Sequence, residues 1–579
     1  MQTAPFKKID RLKQALAPLD QKYDRLAKML RVPFQAFGFW KFLQGIPVHP
    51  TRESLCYAVA LLDTDDPKMY QRSVEIIQQI LSLQDKDSCS ETYGVWPKYL
   101  EEKPFKIVQP DLNWREFLAK QLLQLALNHR DRLPPNLMAQ IDKAILCAAY
   151  NIQQRNVPLE YTNIAIMGIY VTLITGHIYG INDLYNYGIS RLEQFSQYIR
   201  EEGGFSEYNS PDYTIITLEN LGRLRLYFKN VNNVKIGELV ERLYHLSWAE
   251  IATHFHPPTQ QWAGPHSRSY STLLKPEVLA LVERSTSEHI NFGIVEEYAT
   301  LEEHRLSLPC PLDLETLFLY LNEPRTVTQT FSKKLPKQVL TTYLAPSFAL
   351  GSVNYSDFWH QRRPLVVYWG TDQEPSYLRV RCLGNNIDCA AAQFFSVQNE
   401  GNILCGVSFA TDINPINPYI SQNKNKNSQL FIKDLRLRFE FGGSIDMNSI
   451  RSQLSSLATL DSTVSLCFGN LNIQIRILYA QFGESTAKWQ IHQDSGCFYL
   501  DVLLWAGKKQ VFDLANFGEC AIGFALQITT EKISSPKLSI NIVDNWLGME
   551  WKNLNLKLWT KPVQQHLLNI SASSSGPGK

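Results

Sequence analysis

A chain of 579 residues is longer than one ordinary core organises, so two or three domains are expected. Its 44% hydrophobic and 20% charged residues are those of a soluble globular protein, and a net charge of +1 without a long block of one sign argues against a dedicated nucleic-acid or anionic-membrane surface. The ten cysteines form no CxxC pair, and Cys382 and Cys389, the closest two, have no histidine at zinc-finger spacing, which suits reduced thiols in a cytoplasmic chain.

The segment from Met1 to Lys8 leads into a charged amphipathic stretch and not an apolar leader. No run reaches the roughly 18 apolar residues that span a bilayer. From residue 8 to about 255 the pattern is helical. Tyr93, Trp96, Tyr99 and Trp114 either line a groove or pack between helices. Trp114, Leu118, Leu122 and Leu125 mark one helix; Leu137, Ile141, Ala144 and Ala148 mark the next, after the breaker Pro134-Pro135. Ile164, Met167, Val171 and Ile174 mark a third, and Ile166, Ile169 and Leu173 on its other faces predict burial all round. Tyr185 to Ile199, Ile215 to Phe228 and Ile236 to Leu246 repeat the three- and four-residue spacing. Short connections make neighbours antiparallel hairpins, and no fixed-period repeat of the solenoid kind is present.

Residues 256 to 325 are transitional, with a short helix near Glu277 to Glu283. Beyond them the period becomes two: Leu435, Leu437, Phe439 and Phe441 alternate with charged residues, as do Leu471, Ile473, Ile475 and Ile477 with polar ones. The fold class expected is therefore α+β and multidomain: an N-terminal incomplete α/α toroid over 1–325 carrying the candidate site, then an antiparallel β-sandwich over 326–565. A mobile loop is expected at Gln422 to Asn427 and a disordered tail over 566–579.

Four segments carry groups suited to chemistry. Tyr161-Thr162-Asn163 opens the most buried helix; the Asn163 amide either caps that helix or donates to an anion. Gly203 to Tyr213 ends in a helix start, with Ser210 as cap, Pro211 at the first position and Asp212 on the positive end of the dipole. Tyr213 then lies in the first turn, where a phenolate is favoured, or is a packing residue; Glu207 and Asn209 precede it. Trp262 to Tyr270 places His266, Arg268 and Tyr270 within five residues, beside Gly264-Pro265. Phe358 to Arg363 contributes His360 early in the β-region. His254 and His256 lack a carboxylate to complete a metal triad, and no P-loop, GxGxxG or GxSxG motif is present.

Glu207-Tyr208-Asn209-Ser210-Pro211-Asp212-Tyr213 resembles the acidic, Ser-Pro, Tyr segment of the heparinase II/III and alginate-lyase type of polysaccharide lyase. The order of helices and sandwich is similar over nearly the whole chain. Thr214 departs from the family pattern, which often has histidine there. The resemblance implies that Tyr213 is the catalytic phenol and that Asn163 neutralises the substrate carboxylate. His266 and Arg268 are similar in type to the histidine and arginine such sites use and are taken as catalytic, His360 is similar to a sandwich-domain histidine of some members, and with it Glu207, Asn209, Tyr208, Tyr270 and Trp262 are the candidates for contact with the substrate. The implied reaction is β-elimination on an acidic polysaccharide or oligosaccharide without metal or cofactor, with Tyr213 or His266 as base and Tyr213 as acid. Two other readings are a glycoside hydrolase using Glu207 and Asp212, and a non-catalytic carbohydrate-binding protein.

Overall fold

The computed structural model describes every residue except 1–4, 35–44, 103–109, 230, 232, 288–289, 294–300, 303–304, 333–336, 418–427, 455–458, 461, 495, 532–537, 575 and 578–579. The loop expected at Gln422 to Asn427 lies outside the described residues. Helices come first: α1 (Pro5–Asp20), α2 (Thr51–Asp63), α3 (Pro67–Ser82), α4 (Trp114–Asn128), α5 (Pro135–Arg155), α6 (Thr162–Ile178), α7 (Asn182–Glu202), α8 (Tyr213–Phe228), α9 (Val234–His254), α10 (Pro276–Ser285) and α11 (Leu312–Leu319). Antiparallel sheets follow, so the expected order, a helical region and then a sandwich of antiparallel sheets, is the observed one.

By compactness the chain divides into two units. The helical unit comprises Met1–Tyr198, Ile215–Trp248 and Pro276–Pro311; the sheet unit comprises Ile199–Thr214, Ala249–Lys275 and Leu312–Lys579. The segments around Tyr213 and His266 therefore group with the sheets, whereas Asn163 belongs to the helical unit.

In the helical unit, α2 packs on α3, and α4 packs on α2, α5 and α6. Short connections join α2 to α3, α4 to α5 and α5 to α6, which makes these sequence neighbours antiparallel. The expected all-round burial of α6 is observed from Thr162 to Gly176. Helix α4 is equally enclosed from Trp114 to Ala126, although Arg115, Glu116, Lys120 and Gln121 lie in that run.

The sheet unit contains β1 (Arg325–Phe331), β2 (Gln338–Ala345), β3 (Phe348–Val353), β4 (Tyr355–Asp357), β5 (Leu365–Gly370), β6 (Pro375–Gly384), β7 (Ala392–Asn399), β8 (Asn402–Phe409), β9 (Gln429–Gly443), β10 (Val464–Phe468), β11 (Leu471–Phe482), β12 (Lys488–Gln493), β13 (Cys497–Asp513) and β14 (Cys520–Thr529). One sheet runs in the order β12-β13-β9-β6-β5-β3-β2-β1, and the second in the order β4-β7-β8-β14-β11-β10. Side chains alternate across each strand, so one face of each sheet supplies the shared core. That core includes Leu350, Val367, Leu437 and Phe439 from the first sheet, and Phe394, Ile473, Ile475 and Phe524 from the second. A third, small sheet of β15 (Leu538–Val543), β16 (Trp546–Trp551) and β17 (Leu554–Trp559) packs Leu547, Met549 and Leu556 against Phe395, Leu404 and Ala521 on the outer side of the second. Helix Gln565–Ser574 adds Leu568 to this outer core.

Candidate active site

Three segments of the sheet unit lie side by side, and backbone hydrogen bonds fix their register. His266 and Arg363 exchange both main-chain bonds, N to O at 3.1 and 3.0 Å. Ser269 N donates to Gln361 O at 2.8 Å, and Ser267 N to Tyr208 O at 3.3 Å. The middle segment rests on β3, where Gly351 is needed because a Cβ there would meet Gly264 O at 1.8 Å. Thr342 Oγ1 donates to the same carbonyl at 2.6 Å.

Asn209 ties the first segment to the second. Its backbone is left-handed at φ 45°, a conformation Asn tolerates better than most residues. Its Nδ2 donates to Ala263 O at 2.7 Å and Pro265 O at 2.9 Å, its Oδ1 accepts from Trp262 Nε1, and its N–H donates to Glu250. The cap expected at Ser210 is present, with Oγ accepting from Tyr213 N at 3.1 Å. Pro211 and Asp212 form a turn, and regular helix begins at Tyr213. Ser210 Oγ also donates to Arg268 O at 2.5 Å. Asp212 accepts from Tyr270 N at 2.9 Å and from Lys275 Nζ at 2.5 Å. The helix start and the 266–270 segment are thereby one construction.

This frame brings Tyr213, Arg268, Glu207 and Tyr270 together. The Arg268 guanidinium stands 4.2 Å from the Tyr213 ring centre and 5.3 Å from that of Trp359. Its Nη1 donates to Glu207 Oε1 at 3.0 Å and its Nε to Gln361 Oε1 at 2.8 Å, which fixes the plane of the fork. Tyr213 Oη lies 2.7 Å from Tyr270 Oη. Tyr213 is 8% exposed and Tyr270 58%, so the pair connects a buried phenol to a solvent-facing one. Exposed His360 stacks edge-on against Trp359, with ring centres 4.6 Å apart.

The helix-start reading favours a Tyr213 phenolate, but burial decides otherwise. It raises the phenol above its ordinary value of 10.0, and the opposing pull of Arg268 is smaller. Tyr213 is consequently a proton donor at neutral pH. His266 goes the other way: burial lowers it to about 4, so the ring is neutral. Its Nδ1–H donates to Asn209 O at 2.6 Å, which leaves Nε2 as the acceptor, 3.5 Å from Tyr368 Oη.

The other sequence candidates lie elsewhere. Tyr208 is buried against Phe331, Leu340 and Val353. Trp262, Asn209 and His266 are 1%, 0% and 2% exposed, with polar atoms turned to the protein's own groups. Asn163 is buried at the start of α6 in the helical unit. His254 and His256 bond to Glu250 O and Ala345 O, both at 2.8 Å, and among the described residues no His, Cys, Asp or Glu cluster is arranged to hold a metal. Sequence reasoning passed over Trp359, Gln361, Glu250 and Lys275. The first two lie in the Phe358 to Arg363 segment, whose aromatic and amide groups beside a basic pair were the available signal. Glu250 is pushed up to about 8 by burial, and nothing in the amphipathic pattern of α9 distinguishes it.

A family model described as a domain of unknown function, DUF8769, matches residues 10–291, which include the 207–213 and 262–270 segments. No curated protein matches the sequence. Solved structures similar to the chain include heparinase III, at 10% identity and TM-score 0.43, covering 96% of this chain and 91% of that one. The Streptomyces coelicolor A3 chondroitin AC lyase in complex with chondroitin sulphate matches at 9% identity and TM-score 0.48, covering 96% and 85%. A Paenibacillus xanthan lyase matches at 8% identity and TM-score 0.40, covering 96% of this chain and 61% of that one. Among the described residues, no helix is long and apolar enough to cross a membrane.

Proposed function

We propose that the chain is a lyase that cleaves a uronic-acid-containing polysaccharide or oligosaccharide by β-elimination. The observation that carries this reading is the Arg268 guanidinium over the ring of Tyr213, whose hydroxyl is bonded to that of exposed Tyr270. Elimination removes the C5 proton, turns the C5–H electron pair into the C4–C5 double bond and expels the C4 oxygen, which takes up a proton. The step needs a neutralised carboxylate and a place to move protons. Arg268, held flat by Glu207 and Gln361, is the planar partner for the substrate carboxylate.

Tyr213 gives its phenolic proton to the leaving oxygen, and the phenolate so formed takes up the C5 proton, directly or through Tyr270, so the pair ends with the protons it began with. In this scheme His266, enclosed and bonded to Asn209, positions the catalytic segment, and of the two bases the sequence left open, Tyr213 and His266, the role falls to Tyr213. Hydrolysis ranks lower because Glu207 is committed to Arg268 and Asp212 to Lys275, which leaves neither as half of the acid pair that glycosidases use. The test is Tyr213→Phe, assayed on uronic-acid polymers for ultraviolet absorbance of the new double bond alongside new reducing ends. The expected result is a fall in turnover of about a hundred- to ten-thousand-fold with the fold retained. Reducing ends without the chromophore would replace the lyase by a hydrolase.

A further inference from the structure

A second polar site lies on the outer face of the sandwich. Along β11 and β14, Ile473, Ile475, Leu526 and Ile528 enter the core. Alternation therefore turns Gln474, Arg476, Ala525 and Gln527 outward. Register sets Gln474 opposite Gln527 and Arg476 opposite Ala525. The third sheet covers part of this face with Leu547 and Met549, and its end, where Leu538 pairs with Trp551, borders the rest. Between them is a cavity of about 110 Å³, lined by Gln474, Arg476, Ala525, Gln527, Leu538 and Trp551 among others. The small side chain at Ala525 leaves the room.

Two of these residues are buried with unmade hydrogen bonds. Among the described residues, Trp551 is 2% exposed and its Nε1–H has no acceptor, and Gln527 is 9% exposed and its Oε1 has no donor. Both residues line this one space, so the two unmet groups can be answered by one ligand. Arg476 is exposed and has no ion-pair partner among the described residues. The demand is therefore specific: an acceptor for an indole N–H, a donor for an amide oxygen, and a negative charge beside them.

We propose that this cavity binds one acidic sugar unit, a hydroxy-carboxylate of the uronate type. One sugar hydroxyl accepts from Trp551 and donates to Gln527, the carboxylate meets Arg476, and Leu538 covers the C–H face. The acidic class agrees with the proposed function but rests on Arg476, and the site uses none of the residues around Tyr213.

The experiment titrates the full chain, labelled with ¹⁵N at the tryptophan indoles, with D-glucuronate and with D-glucose. The Trp551 signal is identified by its loss in Trp551→Phe. Glucuronate is expected to shift that signal, with affinity about tenfold or more weaker for glucose and for Arg476→Ala, since a charge-assisted hydrogen bond is lost in each case. Arg476 is exposed, so its replacement leaves the fold intact. Tyr213→Phe is expected to bind glucuronate unchanged, which separates this site from the lyase reading. No shift with glucuronate, equal affinity for glucose, no effect of Arg476→Ala, or a soaked crystal with only water in the cavity would each overturn the proposal.

Discussion

Glu116 in the helical unit and Glu440 in the sheet unit are both buried, at 0% and 3% exposure, yet they titrate in opposite directions. Burial raises Glu116 to about 7, whereas Glu440 falls to about 2 because Arg379 and Arg381 outweigh its own burial. The difference lies in how each architecture delivers cations. Register sets Arg379 opposite Glu440, and Arg381 lies two residues along the same face. Glu440 therefore accepts from Arg379 Nε at 2.6 Å, Arg381 Nη1 at 3.1 Å and Tyr377 Oη at 3.0 Å. On α4, Arg115 follows Glu116 by one position, and adjacent helix positions do not face each other. Among the described residues only Arg155 of α5 reaches Glu116, at 3.3 Å, and Oε2 has no partner. The number of directed hydrogen bonds, more than depth, decides the charge of a buried carboxylate.

The sharpest test is Glu440→Gln, which leaves two partly buried arginines facing an uncharged amide. A loss of about 3–5 kcal/mol is expected, read as a lower denaturant midpoint for the sheet unit. Little change would mean that the ladder is a solvated surface network. Next is Arg268→Lys, which tests whether the Glu207–Arg268–Gln361 group follows the same rule. A lysine cannot serve Glu207 and Gln361 in one plane, so turnover is expected to fall about a hundred- to thousand-fold while the fold persists. Rescue of activity by lysine would show that charge alone is needed.

Two regions, one in each unit, are expected to answer pH in opposite senses below the ordinary histidine value. Glu102 and Glu116 stay protonated up to about 7, so the stability they carry is present in acid and lost as pH rises through 7. His254, His256 and His266 are lowered to about 4, so their contribution is present above the ordinary histidine value and lost as pH falls through 4. Hydrogen exchange between pH 5 and 6.5, corrected for intrinsic rates, should show protection of helices α4 and α5 falling with pH while that of the 254–266 region rises, because there the three histidines outnumber Glu250, which burial raises to about 8 and which acts in the opposite sense. Parallel changes in both regions would contradict the assignment. The smallest effect is expected from Glu116→Gln at pH 6, within about 1 kcal/mol, because the replaced group is already uncharged.

Much of this was readable in the chain. The alternation of Leu435 to Phe441 and of Leu471 to Ile477 specified strands, and the apolar residues on every face of α6 specified an enclosed helix, because period and burial follow from local geometry alone. Ser210, Pro211 and Asp212 marked the start of α8, since capping is settled within a few residues. Which candidates meet was another matter. Arg268 finds Glu207 sixty-one positions away and Gln361 ninety-three positions away, and Trp262 and Asn209 serve each other in the interior. The protonation state of Tyr213 was likewise out of reach: the sequence showed a helix dipole that favours the phenolate, and only packing showed the burial that outweighs it. The sequence by itself determined the elements and the inventory of reactive groups, because those depend on near neighbours. The tertiary structure decided partners, exposure and charge, because these depend on desolvation and on contacts between segments far apart in the chain.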